Sequence, residues 1–324
     1  MGETPIRIAA VVGPTASGKT ALSVALAERM NAEIISCDSM QLYRRMEIGT
    51  AKPTREEMRG VRHHLLDCVD PETPFSAADY VAGAEHALAD LLSRGKTPLI
   101  AGGTGLYLEA FLRGGFAEES GGDPALRESL TRYAQEHGNE ALHERLRFVD
   151  PEAADRIHPN NVRRVVRALE LAQSGAKNKS ALDRERAVYS ERYLPTVVGL
   201  LWSRETLCER INLRVDQMIR NGLIEETERL MKEGVFERSE TAAQAIGYKE
   251  LLPYLRGEAS LKDATERLKI ATRQYAKRQM TWFRAHGNVH WIEMERDGRA
   301  LNFEEIVNNA LKVFRDAGFC AIML

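Results

Sequence analysis

Three short stretches hold residues whose types and spacing can do chemistry. The first is Gly13-Pro14-Thr15-Ala16-Ser17-Gly18-Lys19-Thr20, which fits G-x-x-x-x-G-K-[ST] throughout. Glycines let the backbone curl so that successive N–H groups point at one anion. A helix starting there adds the positive end of its dipole. Lys19 is a mobile point charge for a terminal phosphate, and the Thr20 hydroxyl can ligate Mg²⁺. The second stretch is Asp38-Ser39-Met40-Gln41, where a carboxylate could act as general base, support a metal, or merely cap a turn. The third is Gly102-Gly103-Thr104-Gly105, which offers a hydroxyl between residues that allow close backbone approach.

These residues need elements to position them. Arg7–Val12, a segment containing Ile34–Ile35, His64–Val69, Pro98–Ala101, Pro195–Trp202 and Val289–Met294 all read as strands, separated by helical patterns. That alternation predicts an α/β fold with a P-loop NTPase-like parallel sheet flanked by helices. The loops at the carboxyl ends of such strands line one crevice. The phosphate loop, Asp38 and Thr104 are therefore expected to meet there. No aspartate follows a long apolar strand in the manner of a switch or motor NTPase; Leu65-Leu66-Asp67 is the nearest imitation. Kinase or transferase chemistry is left.

Between residues 115 and 194 the strand pattern stops. Helical patterns at Pro124–His137, Glu140–Phe148 and Asn161–Gln173 predict an all-helical insertion, with residues 1–114 and 195–324 forming the core. Glycines at Arg113–Gly115 and Gly121–Gly122 mark its start. Later, Glu205–Gly222 reads as a helix with Arg210 and Arg214 one turn apart, able to clamp a diphosphate. They could equally pair with Glu205, Glu209 or Asp216.

The chain of 324 residues has 45 Lys and Arg against 47 Asp and Glu, a net charge of −2. Any polyanion footprint must therefore be local. Residues 155–194 hold nine bases against five acids, and 262–284 hold seven against two. Such runs suit either a polyanion footprint or a solvated helix face. Cys37, Cys68, Cys208 and Cys320 are dispersed, which excludes a zinc site of paired cysteines and argues against a disulfide framework. No secretory leader is recognisable and no apolar run approaches the roughly 18 residues of a membrane span, so a cytoplasmic protein is expected.

Together the motifs resemble the tRNA dimethylallyltransferase (tRNA isopentenyltransferase) family. The resemblance rests on GPTASGKT at 13–20, DSMQLYRRMEIGTAKP at 38–53, HHLLDCVDP at 63–71 and AGGTGLY at 101–107. It continues through RIHPNNVRRVVRALE at 156–170, RINLRVDQM at 210–218, AIGYKE at 245–250 and RQYAKRQMTWFR at 273–284. A bacterial-type enzyme is implied, since the zinc-finger extension of eukaryotic relatives is absent. Residues 163–164 depart from the family in reading Arg-Arg where Gln-Arg is expected. Ala243-Gln244 stand where an arginine often does.

The resemblance implies transfer of a dimethylallyl group from dimethylallyl diphosphate to N6 of adenosine 37, in tRNAs reading codons that begin with U. Gly13 to Thr20 would hold the diphosphate, with Mg²⁺ on Thr20. Lys19, Arg210 and Arg214 would stabilise the leaving group, and Asp38 and Thr104 would address the amine. Contacts to tRNA are implied for Asp38, Ser39, Met40, Gln41, Thr104, Arg127, Arg163, Arg164, Val165, Val166 and Arg167. Gln244, Gly247, Tyr248, Lys249, Lys277 and Arg278 complete that set. The insertion would hold the anticodon stem-loop of tRNA, and the enzyme is expected to act as a monomer. A P-loop nucleotide or metabolite kinase and an adenylate isopentenyltransferase are the alternatives.

Overall fold

A computed structural model describes residues 4–115, 123–173, 179–181, 190–285 and 288–320. It divides into two compact units: Met1–Leu112 with Glu191–Leu324, and Arg113–Ser190.

The first unit is built on six strands: β1 (Ile6–Val12), β2 (Ala32–Cys37), β3 (His63–His64), β4 (Thr97–Gly102), β5 (Tyr193–Leu201) and β6 (Val289–Glu293). They run parallel in the order β3-β2-β4-β1-β5-β6. Side chains alternate between the two faces. Ala9, Val11, Ile34, Leu99, Val198 and Leu200 pack with the helices Lys19–Arg29 and Phe303–Asp316. Their neighbours Ile8, Ala10, Ile35 and Ile100 are equally buried on the other face, so both faces of the sheet are covered, as a parallel sheet requires.

Three strands end level with one another. Cys37 pairs with Gly102, and Gly102 with Val12. The loops opening at Gly13, Asp38 and Gly103 thus start side by side, with the β4 loop between the other two.

The expected His64–Val69 strand is shorter than its composition suggests. Pairing with β2 covers only His63 and His64, and a lone bridge joins Tyr43 to Val69. Leu65 and Asp67 both have positive φ, 55° and 54°, which breaks the extended run. The later helix runs Arg204–Arg220, closed by Gly222 at φ 102°. β5 begins at Tyr193, so the core resumes before the expected residue 195.

The second unit is helical among its described residues: Pro124–His137, Asn139–Val149, Pro151–Arg156 and Val162–Gln173. Leu130, Leu142, Leu146, Val165 and Leu169 form its core. Asp150 accepts from the Ala153 and Ser180 amides and the Ser180 hydroxyl, tying the turn between two helices to the later Ser180 segment. Gly121, Gly122, Lys177, Arg184 and Arg186 lie outside the described residues.

Candidate active site

The phosphate loop is held in a fixed curl from several sides. Gly13 has φ 152° and Gly18 φ 98°, and Gly18 begins the Lys19–Arg29 helix without a side-chain cap. Lys19 Nζ donates to the Pro14 carbonyl at 2.7 Å. Arg210 Nε donates to the Ala16 carbonyl at 2.9 Å, and Trp202 Nε1 to the Ser17 carbonyl at 2.9 Å. The Arg210 guanidinium also lies 4.4 Å from the centre of the Trp202 ring. Each donor takes a carbonyl of the loop. The Thr15 amide donates to Gln279 and the Ser17 amide to the Pro14 carbonyl, which leaves the other loop N–H groups to converge on an anion.

Lys19, Arg210 and Arg214 gather at this loop. Lys19 retains some exposed surface, yet its ammonium is buried against the Pro14 carbonyl. Burial pulls its pKa down to about 8; Asp38 opposes the shift and Arg214 adds to it. Burial also lowers Arg214, which feels Glu57, Asp38 and Arg210, and burial alone lowers Arg210. Arg214 Nη2 reaches the Ala51 carbonyl at 3.5 Å. Neither arginine pairs with an acid of its own helix, and Asp216 instead binds Lys269 at 2.6 Å. Arg210 thus bonds the phosphate loop, and Arg214 bonds the neighbouring 47–51 loop. Three cations drawn down by burial face two carboxylates, with Asp38 acting on Lys19 and Arg214 and Glu57 on Arg214, a balance that leaves positive charge for an anion.

Asp38 follows β2. Its Oδ1 accepts from the Met40 amide at 2.9 Å and the Gln41 amide at 3.3 Å. This is the capping geometry, and it uses one oxygen only. Oδ2 accepts no hydrogen bond among the described residues, so capping orients the carboxylate without consuming it. Thr104 sits beside it: Oγ1 accepts from the Ser39 amide at 3.0 Å and donates to Ser39 Oγ at 3.3 Å. The Gln41 side-chain amide donates to the Thr50 and Ala51 carbonyls at 3.2 and 3.0 Å, which leaves its oxygen available. The 47–51 loop is itself anchored by the buried Glu226. That carboxylate accepts from the amides of Glu47, Ile48 and Gly49 and from the Tyr248 hydroxyl.

The Leu261–Ala285 helix roofs the β4 loop. Tyr275, Gln279 and Trp282 are four and three residues apart and so share one face. Gln279 and Trp282 stand where a Cβ on Gly103 or Gly105 would have to go. Tyr275 lies by Asp38 and Thr104: burial raises its phenol above the ordinary range, Asp38 adds to this, and Thr104 partly offsets it. The motif at 273–284 contains these three residues, but motif reading gave them no role in the site, and it missed Trp202. Tyr275, Gln279 and Trp282 lie at helical spacing in the sequence, but their place beside the glycine-rich loop follows only from the fold.

Other expected contacts divide by exposure. Arg163, Arg164, Gln244, Lys249, Lys277 and Arg278 are exposed. Val165 and Val166 are not: they pack into the helical core of the second unit, so their side chains are withdrawn from any RNA on its surface. Tyr248 and Gly247 are likewise buried, the former spent on Glu226. Arg127 and Arg167 both bind Glu170, at 3.0 and 3.5 Å. Within the basic run 262–284, Lys269 and Arg273 face inward onto Asp216, Asn212 and Glu266.

Thr20 fits a role as a hard oxygen ligand. Its hydroxyl is half-buried and makes no side-chain hydrogen bond among the described residues. The described residues also bring Glu33, His64 and Asp90 together, but Arg94 already bonds both carboxylates. No helix among the described residues is long and apolar enough to cross a membrane.

The family described as IPP transferase matches residues 41–286. A tRNA dimethylallyltransferase of Bacillus subtilis is 48% identical over 294 residues, 91% of this chain and 93% of the relative. Another, from Thermoanaerobacter, is 44% identical over 95% of this chain and 97% of its own length. Among solved structures, the tRNA isopentenylpyrophosphate transferase of Bacillus halodurans is 42% identical with a TM-score of 0.69. That match covers 96% of this chain and 97% of the other. A eukaryotic dimethylallyltransferase captured acting on tRNA is 30% identical with a TM-score of 0.76, over 89% of this chain and 74% of its own.

Proposed function

The chain belongs to the IPP transferase family, and from that premise we propose how its own residues carry dimethylallyl transfer to tRNA. The donor in this proposal is dimethylallyl diphosphate. The acceptor is the N6 amine of adenosine 37, beside the anticodon.

The loop N–H groups, Lys19, Arg210 and Arg214 bind the diphosphate. Thr20 would hold Mg²⁺, which would supply further neutralisation of the leaving group. The N6 lone pair of adenine forms a bond to C1 of the allyl group as the C1–O bond breaks, and the electron pair leaves with diphosphate. Negative charge grows on that oxygen in the transition state, and fixed cations in a partly desolvated crevice stabilise it most at that moment. Asp38 Oδ2 accepts the proton lost from N6. Thr104 and Ser39 hold the amine in line. Adenine must leave its stack to enter such a crevice, as a single-stranded loop permits. Exposed Arg163, Arg164, Lys277 and Arg278 suit phosphate contacts that hold the anticodon stem-loop.

The observation that carries this reading is that Asp38 lies close enough to Lys19 and to Arg214 for its charge to act on both. An anion site and a base site thereby share one crevice. The test is mass analysis of nucleosides from tRNA incubated with the protein and dimethylallyl diphosphate, with ATP in a parallel reaction. The proposal expects adenosine carrying one dimethylallyl group in place of a hydrogen, from the first reaction only. Phosphoryl transfer from ATP to a small acceptor, with tRNA unchanged, would replace it by the kinase alternative.

A further inference from the structure

Gln279 takes part in neither the anion grip nor the base site, yet it touches both. It is 5% exposed, on the inner face of the Leu261–Ala285 helix with Ala276 and Phe283. Its Oε1 accepts from the Thr15 amide at 2.9 Å, and its Nε2 donates to the Gly103 carbonyl at 2.9 Å. These partners decide the amide's orientation, because a flip would set N–H against N–H and oxygen against oxygen. Thr15 belongs to the phosphate loop, and Gly103 directly precedes Thr104. The ladder between β1 and β4 ends at Val12 and Gly102. Gln279 continues the connection with a side chain where main-chain pairing stops. The space is fitted to it, since a Cβ on Gly103 would fall on its amide nitrogen.

We propose that Gln279 is a positioning residue for the transfer, fixing the phosphate loop relative to Thr104 and hence the leaving oxygen relative to the incoming amine. The inference rests on the reading of the preceding subsection. Gln279 needs no contact with either substrate; it acts through Thr15 and Thr104. Displacing reacting groups by about 1 Å costs on the order of 10²-fold in rate, and this amide is the direct tie between the two loops.

Gln279→Met keeps the side chain's length and removes both bonds. Gln279→Glu keeps the acceptor for Thr15 and, when ionised, loses the donor to Gly103. Single-turnover transfer to tRNA at saturating dimethylallyl diphosphate should fall about 10²-fold in Gln279→Met, with tRNA affinity changed less than about 3-fold. Combined with Thr104→Val, the loss should be clearly less than the product of the two separate losses, because both changes act on one constellation. The Gln279→Glu enzyme should recover toward the wild-type rate as pH falls and the introduced carboxyl gains its donor proton. Gln279→Met should show no such recovery. A transfer rate within about 3-fold of wild type, or losses that multiply, would overturn the inference. If Gln279→Met does not fold, the pH recovery of Gln279→Glu decides alone: a recovery supports the role, and a profile parallel to wild type ends it. Wild-type protein unable to modify tRNA would instead indict the functional reading itself.

Discussion

At the scale of single residues, the site is a set of cations that disfavour one another until an anion arrives. Lys19 shows this most directly, with its pKa drawn down to about 8 by burial and a neighbouring arginine. A diphosphate would reverse that shift, so binding should take up a proton near pH 8. Diphosphate affinity should fall as pH rises through about 8, and titration calorimetry in buffers of different ionisation enthalpy would measure the uptake. The same group has the opposite effect on the empty protein. Between about 8 and 10.5 the unfolded chain holds the Lys19 proton and the native state does not, so this group makes stability rise with pH there. Lys19→Ala should abolish the uptake and weaken diphosphate binding by about 10- to 100-fold, the worth of one charge-assisted bond. A variant that keeps the uptake would assign the proton elsewhere.

At the scale of elements, chemistry depends on three strands ending level and on one helix laid across the loops that follow. Gly103→Ala would drive a methyl into the Gln279 amide. We expect a loss of transfer of at least about 10-fold from the displaced loop, read in single-turnover experiments, with no comparable loss of tRNA affinity. Glu226 is the matching support on the other side. Glu226→Ala would strand three backbone N–H groups and the Tyr248 hydroxyl. It should cost about 3 kcal/mol or more of stability in urea unfolding; a loss under about 1 kcal/mol would show that water replaces the carboxylate. The strands that carry the site were legible because buried apolar runs ended at glycine or aspartate. β3 was misjudged because Leu65 and Asp67 adopt positive φ, which apolar composition does not reveal. Gln279 and Tyr275 were not legible as site residues. A polar side chain on the inner face of a helix is distinguishable from a solvated one only when its neighbours are known.

At the scale of the whole molecule, a slightly acidic chain carries basic surface in restricted places. The run 262–284 exposes Lys262, Arg267, Lys277, Arg278 and Arg284, whereas Lys269 and Arg273 serve internal pairing. Counting bases along the sequence therefore overstated that footprint, because charge does not disclose its partner. The strand pattern of the sequence breaks off close to where the second compact unit, Arg113–Ser190, begins. That Val165 and Val166 turn inward followed only once the helix was packed. If exposed arginines of the second unit contact phosphates, tRNA affinity should fall with salt by a slope of about −0.7 to −0.9 per contact. Arg163→Glu with Arg164→Glu should reduce that slope by about 1 to 2 and leave diphosphate affinity unchanged. A slope equal to wild type would remove these residues from the interface.

The account stands on one carboxylate sharing a crevice with a departing diphosphate, and Asp38→Asn interrogates it with little change of shape. Single-turnover transfer should drop by about 10²- to 10⁴-fold, while the affinities for tRNA and for diphosphate stay within about 3-fold of wild type. A variant that transfers at close to the normal rate would contradict the assignment of Asp38 as the group that takes the amine's proton.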